Sequence, residues 1–90
     1  MPIYQIKIHK QVQKFLLSLN PDLRTRFRNK IENLRLDPYR HPKLDIKPMQ
    51  GMGESVFRLR VGQYRLIYRV HEQELLIYLM TAGTRGDVYK

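Results

Sequence analysis

From Ile3 to Ile8 apolar and polar residues alternate, and Tyr4, Ile6 and Ile8 fall on one face. That is the pattern of a half-buried strand. At His9 the period changes. Val12, Phe15, Leu16 and Leu19 recur at helical spacing and predict a short amphipathic helix. Asn20-Pro21 stops this helix and starts another. Asn20 brings the side-chain oxygen of a good N-cap, and Pro21 falls at the first helical position, where its missing N–H costs no bond. Leu23, Phe27, Ile31 and Leu34 make one stripe of the second helix, Arg24, Arg28 and Arg35 lie off it, and Asp37-Pro38 ends it. Residues 38–54 hold Pro38, Pro42, Pro48, Gly51 and Gly53 and read as a connection with little regular structure. A loop of that length is either functional or a loose connector.

Alternation returns from Val56 to Val61 and again from Tyr64 to Val70. Gly62-Gln63 between them is a two-residue turn, with Gly at the first central position as type II′ requires. His71-Glu72-Gln73-Glu74 is a polar hairpin loop. Leu75 to Met80 is apolar on both faces, which predicts the most buried strand. The order β-α-α-β-β-β predicts an α+β domain, two N-terminal helices packed on one face of a mainly antiparallel four-stranded sheet. At 90 residues the chain is one domain, residues 1–90.

The hairpin register separates two chemistries. Val61 pairs with Tyr64, Arg60 with Arg65, Leu59 with Leu66, Arg58 with Ile67 and Phe57 with Tyr68. One face is then Phe57, Leu59, Val61, Tyr64, Leu66, Tyr68 and Val70, which must receive the helices. The other carries Arg58, Arg60, Arg65 and Arg69, with no carboxylate in the same two strands. Like charges placed opposite one another destabilise a sheet, so folding alone does not select Arg60 across from Arg65. A patch of guanidinium groups suits a phosphate or a partner's carboxylates. The alternative is a solvated outer face of splayed arginines. Arg85, just after the last strand, is placed to fold over the sheet. Tyr89 offers a stacking ring and a hydroxyl, or else a frayed terminus.

Composition narrows the class. Lys and Arg number 17 against 8 Asp and Glu, a formal charge of +9. Such a surface attracts polyanions: nucleic acid, the ribosome, an anionic membrane or an acidic protein. The absence of cysteine excludes a disulfide scaffold, a thiolate metal site and a cysteine nucleophile. No apolar run approaches the roughly 20 residues that span a bilayer, and no signal-peptide pattern opens the chain; a soluble cytoplasmic protein is expected. His9, His41 and His71 lie in separate segments without metal-ligand spacing. No Gly-rich nucleotide loop and no paired carboxylates occur.

The hairpin Val56-Phe57-Arg58-Leu59-Arg60-Val61-Gly62-Gln63-Tyr64-Arg65-Leu66-Ile67-Tyr68 resembles the "YRLRVGDYRVIY" hairpin of the RelE/ParE superfamily of toxins from toxin–antitoxin modules, and Arg85-Gly86-Asp87-Val88-Tyr89 is similar to that family's terminal "R…VY" signature. The element order matches over nearly the whole chain. The resemblance implies a ribosome-dependent mRNA endoribonuclease, with no cofactor or metal, acting through attack of the nucleotide's own 2′-OH. It implies that Arg58 and Arg60 bind RNA phosphate, and that Arg65 and Arg85 grip the phosphate and stabilise the transition state. Tyr89 would then stack on or orient the base. The implied partners are a RelB-like antitoxin and the ribosome with its mRNA and rRNA. Familiar RelE members carry lysine where this chain has Arg58 and Arg60. Arginine stays charged, so the proton acceptor is left open among Tyr89, His41, an rRNA group, or a purely electrostatic mechanism. Two other readings share the fold: a ParE-like gyrase inhibitor that cuts no RNA, and an inactive member whose arginine face binds RNA or antitoxin.

Overall fold

The chain was examined as a computed structural model, which describes residues 3–51, 53 and 55–84. Strand β1 (Gln5–Ile8) leads into helices α1 (Lys10–Ser18) and α2 (Pro21–Leu36), followed by β2 (Asp45–Pro48), β3 (Val56–Val61), β4 (Tyr64–His71), a 3₁₀ turn at Glu72–Glu74, and β5 (Leu76–Thr84). The sheet has five strands in the order β1-β5-β4-β3-β2. β1 runs parallel to β5, and every other pair is antiparallel. The class is the expected one. The fifth strand is β2, inside the segment read as an irregular connection. Asp45-Ile46-Lys47-Pro48 is only four residues long, and Ile46 alone of them faces the core, opposite Leu59. Proline sits at its end, where a short edge strand tolerates it.

Helix boundaries follow local chemistry. The Asn20 side chain accepts from the Leu23 amide at 2.8 Å, and Pro21 opens α2. His9 caps α1 through Nδ1, which accepts from the Gln11 amide at 3.0 Å. The end of α1 is closed by α2: the Arg24 guanidinium donates to the carbonyls of Leu16, Leu17 and Leu19 at 2.9–3.1 Å. The hairpin turn has Gly62 at φ +60° while Gln63 keeps a negative φ, the backbone of the expected type II′ turn.

The core lies between the helices and one sheet face. Val12, Phe27 and Leu34 meet Leu59, Leu66, Tyr68, Val70, Ile77, Leu79 and Ala82 there. β5 is not the most buried strand: both β3 and the centre strand β4 are more buried. β5 carries a bulge: Ile67 pairs with Thr81 but Tyr68 with Leu79, leaving Met80 as the extra residue. The bulge reverses the alternation of β5. Ile77 and Leu79 reach the core on one side of it and Ala82 on the other, while Tyr78 is left on the opposite face.

Candidate functional site

The β3–β4 register is the expected one at every pair, Arg60 opposite Arg65 included. The strand ends bring further charges into the same rows. Asp45 of β2 lies opposite Arg60, and Lys47 opposite Arg58. Across the sheet, Arg69 pairs with Tyr78, and Tyr78 with Lys7. All the lysines and arginines of the strands, namely Lys7, Lys47, Arg58, Arg60, Arg65 and Arg69, therefore share the face turned away from the helices. Asp45 is the one carboxylate on the five strands.

These cations are not alike. Arg58 and Arg65 are each 8% exposed, whereas Arg60 is exposed. Ile67 and Val56, which stand opposite Arg58 and Arg69, are buried. A solvated outer face of splayed arginines does not describe this surface. Arg58 Nη2 donates to Asp45 Oδ1 at 3.2 Å, and the shielded Arg58 Nε has no hydrogen-bond partner among the described residues. The carboxylate on Nη2 fixes the plane of the guanidinium.

Sequence reasoning missed Asp45 and Lys47 because they lie in the proline- and glycine-containing stretch; the alternation Asp45-Ile46-Lys47 was the available signal. It missed Tyr78 because the bulge reverses the face. Arg85 and Tyr89 lie outside the described residues. β5 ends at Thr84, opposite Tyr64, at the end of the sheet where Arg65 stands opposite Gly83. His41 accepts from the Lys43 amide at 3.1 Å and so caps a turn in the α2–β2 connection.

A second cluster ties that connection down on the core side. Glu72 accepts from the Tyr4 hydroxyl at 2.7 Å and from the Tyr39 hydroxyl at 2.6 Å, and Tyr68 donates to the Pro38 carbonyl at 2.6 Å. Burial, then the bond to Glu72, pushes the Tyr4 hydroxyl up to about 12 and raises Tyr39 further. The hydroxyls of Tyr39 and Tyr4 hold the Glu72 carboxyl below its ordinary value. Asp37 Oδ1 accepts from the amides of Tyr39 and Arg40. The connection, for which the sequence left a functional loop and a loose connector equally open, is thus pinned near its start by side-chain hydroxyls and carboxylates.

A sequence profile described as the ParE toxin of the type II toxin–antitoxin system parDE matches residues 6–89. The chain belongs to the RelE/ParE superfamily of toxins. A curated relative from Methanocaldococcus jannaschii, named "Putative toxin RelE1", is 34% identical over 87 residues, covering 97% of this chain and 96% of its own. The toxin in the archaeal RelE–RelB complex from Pyrococcus horikoshii OT3 superposes with a TM-score of 0.82 at 35% identity, covering 97% of this chain and 99% of that one. The toxin of the Methanococcus jannaschii RelB–RelE antitoxin–toxin complex gives 0.73 at 26% identity, covering 92% and 94%.

Proposed function

We propose that this toxin is a ribosome-dependent mRNA endoribonuclease that acts in the cytoplasm and cleaves mRNA in the A site. The observation that carries the reading is the confrontation of Arg60 with Arg65 on a face that gathers six strand cations and a single carboxylate. Opposed like charges cost stability, and a bound phosphate turns that cost into affinity. In the reaction the substrate's 2′-oxygen forms a bond to phosphorus as the bond from phosphorus to the 5′-oxygen breaks. The 2′-hydroxyl proton goes to a base and the 5′-oxygen gains a proton. The products are a 2′,3′-cyclic phosphate and a 5′-hydroxyl. Arg58 and Arg60 bind the flanking phosphates. Arg65, with Arg85 from the segment after β5, meets the charge growing on the equatorial oxygens. Tyr89 orients the base. Arginine cannot serve as the base, so the ribosome supplies much of the alignment.

The partner in the cell is a RelB-like antitoxin, by analogy with the complexes of the Pyrococcus and Methanococcus relatives. Binding to the folded toxin alone would raise its melting temperature by mass action.

The test is primer extension on mRNA bound to programmed ribosomes beside the same mRNA free in solution, with end-group analysis of the fragments. Cuts confined to the A-site codon and ending in a cyclic phosphate support the reading. Intact mRNA on ribosomes, with supercoiling by gyrase blocked instead, would establish the gyrase-inhibitor reading.

A further inference from the structure

Aromatic rings in this fold are sorted by face, with one exception. Phe15, Phe27 and Tyr64 contact one another edge to face in the core, as do Tyr39 and Phe57, with Tyr68 stacked on Phe57. Among the described residues, Tyr78 is the one Phe or Tyr ring that the sheet turns to the arginine face. It is half-buried, stands between Arg69 and Lys7 in register, and owes its direction to the bulge at Met80. The Lys7 ammonium is 6.0 Å from its centroid and the His9 ring 6.4 Å away at 56°. Lys7 and His9 are both exposed. His9 Nδ1 is occupied as the cap of α1, so in the neutral ring the proton sits on Nε2, a remaining donor. No acidic residue stands in the first turn of α1, and no ion pair engages Lys7 among the described residues.

We propose that Tyr78, Lys7 and His9 form a second RNA subsite, in which a single-stranded nucleobase stacks on the Tyr78 ring and its phosphate is held by Lys7. This rests on the RNA-cleaving reading above. Half-exposed rings on a sheet face, flanked by cations, are how sheets hold unpaired bases without reading sequence. Arg69, the cross-strand neighbour of Tyr78, is four residues along β4 from Arg65, or about 13 Å at strand spacing. One stacked nucleotide rises only about 3.4 Å. The ring therefore takes a different nucleotide from the one whose phosphate meets Arg65. A strand of RNA would cross the face diagonally, from the Arg60–Arg65 end towards β1.

The test is fluorescence anisotropy with a labelled single-stranded RNA decamer and, as a probe with charge but no bases, competition by polyvinyl sulfate. The wild type is compared with Tyr78→Phe, Tyr78→Leu, Lys7→Ala and Arg65→Ala, each checked by thermal unfolding. Tyr78→Phe keeps a stacking ring and should bind RNA as the wild type does. Tyr78→Leu keeps apolar bulk without a π-face and should weaken RNA binding about 10- to 100-fold while leaving polyvinyl sulfate competition unchanged. Lys7→Ala should lower the salt dependence by about one phosphate contact. RNA binding by Tyr78→Leu at wild-type strength, with Arg65→Ala weakened, overturns the subsite and leaves the main reading standing. Equal losses for RNA and polyvinyl sulfate also overturn it, because stacking is then not the cause. No RNA binding by the folded wild type overturns the subsite, while the main reading stands or falls on cleavage of mRNA on programmed ribosomes.

Discussion

Asp45 sits where a phosphate-binding face would gain from having no carboxylate, and its role is set by Arg58. The carboxylate is about half exposed while the guanidinium is nearly buried, so the pair is worth less than a fully buried one. Asp45→Ala should cost about 1–2 kcal/mol of stability yet tighten binding of single-stranded RNA, since one negative charge leaves the face. Thermal unfolding and RNA titration should thus move in opposite directions. Glu72 is governed by hydroxyls. Its folded pKa lies below its unfolded value, so its contribution is present above the unfolded pKa and is lost as pH falls through the folded one. Tyr4 is the reverse case. Raised to about 12, it contributes below its unfolded pKa near 10 and loses that contribution as pH climbs towards 12. Glu72→Gln should flatten the acid limb of melting temperature against pH and bring the Tyr4 titration down towards its ordinary range. An acid limb unchanged in that variant would show that Glu72 does not hold the connection.

At the scale of elements, several basic residues turn out to be structural. Arg24 lies off the apolar stripe of α2, and its guanidinium is spent on three carbonyls at the end of α1. A helix end leaves its last carbonyls short of intrahelical partners; of these three only Leu16 also accepts a backbone amide, that of Leu19 at 3.2 Å. Arg24→Ala should therefore cost about 1–3 kcal/mol in chemical denaturation, the penalty for partly buried unsatisfied groups, without changing RNA binding. The helices, the two ends of α2 and the β3–β4 register were legible because each depends on nearby residues: Asn20 and Pro21, Asp37 and Pro38, the Gly62-Gln63 turn, the alternating arginines; the His9 and Arg24 caps of α1 were not read. β2 was not, because its four residues gain their pairing from β3, a contact distant in sequence. The reversal of β5 was hidden for the same reason. A run from Leu75 to Met80 with apolar residues on both parities cannot show which one faces the core; only Ile77, Leu79 and Ala82 taken together reveal the extra residue. Arg58, Arg60 and Arg65 were found from the hairpin alone, while Asp45, Lys47, Lys7 and Tyr78 needed the neighbouring strands.

Over the whole molecule, charge and fold divide the labour. One sheet face is filled by helices and holds the core, and the other collects the strand cations. No described helix is long and apolar enough to cross a membrane. If the arginine face serves RNA cleavage at some expense to folding, as proposed above, the two effects have opposite signs at Arg60. It is exposed, lies between Asp45 and Arg65 in register, and belongs to no apolar stripe. Replacing it with threonine removes a like-charge opposition and adds a good strand former, so stability should hold within about 0.5 kcal/mol or rise. Losing one cation that holds a flanking phosphate should spoil the alignment of the substrate and lower single-turnover cleavage on the order of 10²-fold. The decisive measurement is cleavage by Arg60→Thr on programmed ribosomes beside its melting temperature. An undiminished melting temperature with cleavage lowered about 100-fold is expected, and wild-type cleavage by the folded variant would remove the arginine face from the reaction.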